Sequence, residues 1–382
     1  MQHQKLKETF INKFRTNPSL FRSPGRVNLI GEHTDYNNGF VLPAAIDKEI
    51  IIAIEKSGST KCSVHSYDLN ESIEFDIHEV SPSSVSWANY FLGVIDQINK
   101  KGKSIEGFNC VFGGNVPLGA GLSSSAALEC VFVFAFNELW HLGLDKEEMV
   151  KIAQMAEHEF AGVKCGIMDQ FASMFGQKDH VFRLDCRSLE YEYFPLKLVD
   201  YEVILCNTKV AHSLASSEYN TRRQECETGV SILQKHFDHI DSLRDATSQQ
   251  LKSVKKEMDP VVYKRCLYVI NEIARVIDSC EKLQNNDLVG FGKDMYETHD
   301  GLSHNYEVSC DELDYLVEKA KDTGYVIGSR MMGGGFGGCT INLVNRSRQD
   351  QFINFMSESY LKDKGIELET YIVNIENGTS KL

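Results

Sequence analysis

The stretch GRVNLIGEHTDYNNGFVLPAA, residues 25–45, crowds Arg26, Glu32, His33 and Asp35 between two apolar, strand-like segments. Asn37, Asn38 and Gly39 supply what a solvated turn needs. A turn has no use for a guanidinium, an imidazole and paired carboxylates as well. A second demand, beyond reversing the chain, acts on this loop.

Further along, PLGAGLSSS at 117–125 runs into a long apolar segment. Glycines let backbone N–H groups approach an anion, serines add hydroxyl donors, and a following helix aims its positive end at the ligand. No Gly-Lys-Ser/Thr follows, so this is not a Walker A loop. The bland alternative is a glycine-rich turn with a serine N-cap. Glu157 lies among Val150, Ala153 and Phe160 at helical spacing. A carboxylate on an apolar stripe needs a partner, because burying it alone costs several kcal/mol, on the order of the penalty for a buried ion. A hard cation such as Mg2+, shared with a serine and phosphate oxygens, would serve. So would a lysine or arginine. Asp169, in the first turn after Gly166, is either a carboxylate favoured by a helix N-terminus or one within reach of a substrate hydroxyl. GGGFGG at 333–338 fits the dinucleotide fingerprint in letters only, since strand-like CTINLV follows in place of a helix. Its better reading is a backbone passing close to a ligand or another loop. His236 and His239 lie on a charged helix without a third ligand and read as a solvated face.

Elements must position these groups. Residues 22–30, 40–54, 74–78 and 108–112 read as strands. Residues 126–140 are apolar nearly all round and predict a buried helix. A second helix starts at Asp145, with Glu148 as capping partner, and runs to about residue 160. A third follows Gly166. Residues 201–206 read as a strand, and 216–320 as mostly amphipathic helix. The change of texture sets a domain boundary near 190, giving units 1–190 and 191–382.

The composition is that of a globular protein, with 42% hydrophobic and 25% charged residues and 7 Pro. The net charge of −14 argues against nucleic acid or an anionic membrane as partner. The 11 Cys form no CxxC pair, so reduced thiols of a cytoplasmic protein are expected. MQHQKLKETF has no apolar core and does not read as a leader. The longest apolar run, 130–136, is too short for a membrane span.

Singly these signals are modest, but their order is not. GRVNLIGEHTDYNNGFVLPAA, PLGAGLSSSAALE and GSRMMGGGFGGC resemble the three motifs of the GHMP small-molecule kinases. The first is similar to the signature of the galactokinase family among them. SWANY, AEHEFAGVKCGIMDQFASMFG, SSEYNTRRQECE and YEVSCDELDYLV extend the resemblance over almost the whole chain. It implies an α/β domain followed by an α+β domain, with the active site in the cleft between them. It also implies transfer of the ATP γ-phosphoryl group to the anomeric hydroxyl of α-D-galactose with Mg2+, the first committed step of galactose catabolism. Carried over by motif, Arg26 and Asp169 are the catalytic pair. Glu32, His33, Thr34, Asp35, Gly166 and Tyr219 hold the sugar. Ser125 and Glu157 hold the metal. Gly119, Ala120, Gly121, Leu122, Ser123, Ser124 and Ser125 wrap the phosphates, and Ser66 and Trp87 lie along the nucleotide. A monomer is expected.

Two departures from the family pattern stand out. Met332 replaces the usual Thr before GGGFGG, and Thr298-His299-Asp300-Gly301-Leu302 replaces a Ser-His-x-Ser-Leu wording. The rival readings are a galactose and ATP sensor without turnover, and a kinase of a related sugar such as N-acetylgalactosamine. The intact SSSAAL disfavours the sensor.

Overall fold

A computed structural model describes residues 2–117, 119–211 and 215–382, and of residues 211 and 215–217 the backbone alone. Leu118 of the predicted phosphate loop lies outside the described residues. The chain opens with helix α1 (Gln2–Phe14) and strands β1 (Ser19–Asn28), β2 (Phe40–Val41), β3 (Pro43–Lys56), β4 (Lys61–Ser66) and β5 (Glu71–Asp76). Then come α2 (Ala88–Lys100), β6 (Phe108–Gly114), α3 (Ser124–Trp140), α4 (Lys146–Ala156) and α5 (Met168–Phe175). Strands β7 (His180–Asp185), β8 (Tyr191–Pro195) and β9 (Tyr201–Ala211) lead to α6 (Ala215–Leu233), α7 (Ser248–Ser253), α8 (Pro260–Gln284), α9 (Leu288–Asp300) and α10 (Asp311–Asp322). The chain closes with β10 (Val326–Met331), β11 (Gly337–Asn345), α11 (Gln349–Lys364), β12 (Glu369–Val373) and β13 (Ser380–Lys381).

Six strands form a sheet in the order β13-β1-β3-β6-β4-β5, antiparallel except for β4 against β6. The isoleucine run of β3 is buried throughout because the sheet is covered on both faces. Side chains alternate across a strand. Ile50, Ile52 and Ile54 therefore join the main core, while Ile51 and Ala53 pack with Leu6 and Phe10 of α1. Helix α3 is the buried helix the sequence predicts, its Phe132 stacked on Phe91 of α2 with ring centroids 4.8 Å apart.

A second sheet runs β10-β11-β9-β12, and a third runs β2-β7-β8. The same alternation splits β9: Val203 and Leu205 face the main core, and Ile204 and Cys206 face Phe352, Met356 and Tyr360 of α11. The last strand returns to the first, with Phe21 paired to Lys381 and Arg22 to Ser380. Among the described residues, no helix is long and apolar enough to cross a membrane.

One predicted helix ends differently. Asp145 and Glu148 do form a reciprocal capping box at the start of α4. The α-helix stops at Ala156, and Glu157–Ala161 widens into a π-helical turn. Such turns are uncommon and cluster at functional sites.

Candidate active site

Arg26 owes its aim to an irregularity in β1. The register against β3 shifts between Pro24 and Arg26, and a bulge of this kind re-directs a side chain. Gly25 permits it, since a Cβ there would lie 2.6 Å from Leu122 O. The Arg26 backbone N–H donates to that same carbonyl at 3.2 Å. Its buried guanidinium donates from Nε to Asp169 Oδ1 at 2.8 Å, from Nη2 to Oδ2 at 2.9 Å, and from Nη1 to Gly121 O at 2.6 Å. Ser123 Oγ donates to Asp169 Oδ2 at 2.5 Å. Three protein donors thus fix one carboxylate at the head of α5. Of the five N–H bonds on an arginine, one on Nη1 and one on Nη2 have no partner among the described residues.

The loop between β1 and β2 stands beside this pair. Glu32 is buried and accepts from Arg330 Nη2 at 3.1 Å and from the Gly333 N–H at 2.7 Å. His33, at φ 62°, meets Tyr36 Oη through Nδ1 at 2.8 Å, and Tyr36 Oη meets Tyr306 Oη at 2.7 Å. Burial pushes the His33 imidazole down to about 4, so it is neutral at pH 7. Asp35 has Gly166 against its carboxylate. Burial first, and then the charges of Asp169 and Glu32, push Asp35 up to about 7 against the opposing Tyr36 N–H. Arg26, Glu32, His33, Asp35, Gly166, Asp169 and Tyr219 line one cavity of about 170 Å³, closed on another side by Gly333 and Gly334. A larger surface groove of about 560 Å³, between Glu147, Arg183 and Glu192, holds none of the predicted site residues.

Thr34 is placed otherwise. Its hydroxyl is fully buried and bonds Gly31 O at 2.9 Å and Phe40 O at 2.6 Å, so its side chain closes the turn and does not line the cavity.

Gly119, Gly121 and Ser123 have positive φ of 73°, 72° and 57°, and α3 begins directly after them. Ser123 makes no side-chain cap, because its hydroxyl is held by Asp169. The first N–H groups of α3 therefore remain available to an anion. Ala120 and Leu122 turn their side chains into the core and offer backbone only. Gly333 and Gly338 pass Gly121 and Ala120, where a Cβ on either would come within 3.7–3.8 Å of the loop backbone. GGGFGG thus packs against the second motif. Met332 is 1% exposed and sends no group into the cleft. Beside the serine loop, Ser66, Trp87, Tyr90, Phe112, Ser124 and Ser125 line an apolar slot of about 190 Å³.

Glu157 settles one of the open alternatives. Among the described residues it has no lysine or arginine partner within ion-pair distance; Oε1 accepts from Ser125 Oγ at 3.0 Å and Oε2 from Gln170 Nε2 at 2.7 Å. Burial, then the charge of Asp169, pushes it up to about 7. A buried carboxylate without a cation, bonded to a serine beside the anion-seeking end of a helix, fits a hard cation. No cluster of three His, Cys, Asp or Glu able to hold a metal exists among the described residues. One carboxylate and one hydroxyl make a partial donor set, of the kind an ion completes with phosphate oxygens. His236 and His239 are exposed as predicted, with His236 paired to Glu257 at 2.9 Å, but they lie in the turns after α6, which ends at Leu233, and not on a helix.

The pattern described as the galactokinase galactose-binding signature matches residues 8–56. The GHMP kinases N terminal domain matches 89–177 and the GHMP kinases C terminal pattern matches 279–362. The galactokinase of Clostridium acetobutylicum is 42% identical over 99% of this chain and 98% of its own length. That of Thermotoga maritima is 41% identical over 94% of this chain and 99% of its own. The chain belongs to the galactokinase family of the GHMP kinases. The crystal structure of Lactococcus lactis galactokinase complexed with galactose superposes with a TM-score of 0.96 at 33% identity, covering 100% of both chains. The mevalonate kinase of Methanococcus jannaschii, at 20% identity and a TM-score of 0.65, shares the fold alone.

Several residues of this galactokinase-family site escaped the sequence reading. Arg330 is fully buried and donates to Leu29 O at 2.7 Å, to Met331 O at 2.6 Å, to Asn28 O and to Glu32. An arginine inside an apolar strand was the available signal. Glu272 Oε1 accepts the Gly31 N–H at 2.9 Å and the Thr298 hydroxyl at 3.0 Å. The departing segment 298–302 thereby braces the first motif. Nothing local in sequence announces that link.

Proposed function

We propose that this protein transfers the γ-phosphoryl group of ATP to the anomeric hydroxyl of α-D-galactose, giving α-D-galactose 1-phosphate and ADP. The carrying observation is the Arg26–Asp169 fork, which borders both the cavity of Glu32, His33 and Asp35 and the carbonyl of Gly121 in the serine loop. One pair therefore touches the places where sugar and phosphate meet.

A pyranose presents hydroxyls that donate and accept. Asp35 and Glu32 accept, Tyr219 both donates and accepts, and neutral His33 keeps a charge-free ring edge toward the cavity. Gly166 leaves room for the Asp35 carboxylate. Phosphoryl transfer asks for positioning and charge stabilisation. Asp169, held by its three donors, takes the hydrogen bond of the anomeric O–H and accepts its proton as the oxygen–phosphorus bond forms. The two uncommitted N–H bonds of Arg26 receive charge on the transferring group. Backbone N–H groups at the start of α3 cradle the phosphates, and the slot beside Trp87 and Tyr90 takes the base. Ser125 and Glu157 would hold Mg2+, which would supply neutralisation of phosphate charge. A division near residue 190, with β13 completing the first sheet, a monomer and a cytoplasmic location complete the reading; the 11 unpaired cysteines favour a reducing compartment.

A coupled ADP-release assay over a panel of sugars tests it. Galactose should be turned over and glucose rejected by on the order of 10⁴-fold in kcat/KM, because an epimer leaves buried polar groups unpaired. Binding of galactose and ATP without ADP release would favour the sensor, and a preference for N-acetylgalactosamine would move the substrate.

A further inference from the structure

Behind Glu157 lies a buried polar pair that the reaction as described does not use. Glu129 stands one helical turn after Ser125 on α3, on the same face. Gln170 follows Asp169 on α5. Both side chains are fully buried. The two protons of one amide nitrogen are shared out: Gln170 Nε2 donates to Glu157 Oε2 at 2.7 Å and to Glu129 Oε2 at 3.1 Å. Cys165 Sγ, at 3.5 Å from Glu157 Oε2, is the remaining neighbour on that side. Oε1 of Glu157 is left to Ser125.

We propose that Gln170 is a positioning residue, holding Glu157 so that one carboxylate oxygen is tied back and the other faces Ser125 and the metal, with Glu129 anchoring the amide from behind. The proposal rests on the kinase reading and deepens it. A carboxylate free to rotate in a buried site would satisfy itself elsewhere, and outer partners of this kind are worth 10–100-fold in metal affinity. An uncharged Glu129 fits these surroundings. Among the described residues, its Oε1 and the Gln170 Oε1 are buried with no hydrogen-bond partner, and no lysine or arginine pairs with it. A protonated Glu129 would carry a donor of its own into this pair. Burial and the nearby Glu157 charge push its carboxyl well above the usual range.

The test titrates Mn2+ into the full-length protein with a non-hydrolysable ATP analogue, read by electron paramagnetic resonance, beside galactose calorimetry. Gln170→Met keeps the volume and removes the donor. It should weaken Mn2+ by 10–100-fold while galactose affinity stays within about twofold, a split that a merely structural defect would not give. Glu129→Leu should weaken Mn2+ in the same sense and keeps the test alive if Gln170→Met fails to fold. Glu129→Gln, a neutral isostere, should retain near-normal Mn2+ affinity. Unchanged Mn2+ affinity in Gln170→Met, with a large loss in Glu157→Gln, overturns the positioning role alone. A large loss in Glu129→Gln shows that Glu129 acts as a charge and overturns the anchor. No loss in Glu157→Gln removes the metal assignment itself.

Discussion

A Cβ placed on Gly166 would lie 1.6 Å from Oδ2 of Asp35. The glycine is thus a hole cut for a carboxylate. Its backbone is not in the left-handed region, so alanine brings no strain of its own. Gly166→Ala should therefore displace Asp35 and weaken galactose binding by at least about tenfold, or ~1.4 kcal/mol. Thermal unfolding should shift little. Calorimetry with galactose checks this, and undiminished affinity would remove Asp35 from the sugar site.

Asp169→Asn keeps the shape of the side chain and loses charge and basicity. With a proton to accept in the transition state, kcat should fall by at least about 10²-fold. Galactose affinity should change much less, since an amide still bonds a hydroxyl. If Asp169 only holds Arg26 and complements the head of α5, the variant loses stability and turns over normally.

Asp35 also predicts a pH dependence of stability. Its carboxyl titrates near 3.8 when free and at about 7 in the fold. Between those values the folded state binds more protons than the unfolded one, so its contribution is lost as pH rises from about 4 to about 7. His33 runs the other way: held down to about 4 against an ordinary 6.5, it favours unfolding as pH falls below 6.5. The informative quantity is the difference in Tm between Asp35→Asn and the parent protein. It should move in the variant's favour across that window and level off above it. A difference that is flat with pH would contradict the burial of an unpaired acid.

Arg330→Met leaves Glu32 buried without its cation. Breaking one partner of such a pair costs about 3–5 kcal/mol, readable in urea unfolding. Adding Glu32→Gln should return part of that stability and none of the galactose affinity. Equal stability of Arg330→Met and the parent would mean that Glu32 relies on the Gly333 N–H alone.

The sequence by itself determined the chemistry that is local. Arg26, Glu32, His33 and Asp35 sit on one loop, the serines sit at the head of one helix, and Asp169 starts another. Their types were legible one loop at a time, and the order of the three motifs was enough to suggest their roles, although their partners lie far off in the chain. The buried α3 and the capped α4 were legible for the same reason, since an all-apolar run and a capping box are local signals. The rest needed the fold. Arg330 and Glu32 are 298 residues apart, and only the packing of the third motif on the first joins them. Whether Glu157 meets a lysine or none depends on what lies across from α4, which no helical spacing reveals. Thr34 lies in the same loop as the site residues, yet its hydroxyl turned inward because two carbonyls of the reversing chain needed a donor. The π-turn at Glu157 and the fork of Gln170 between two carboxylates are likewise consequences of which helices face each other. Desolvation is set by everything around a group, and a sequence gives only what lies beside it along the chain.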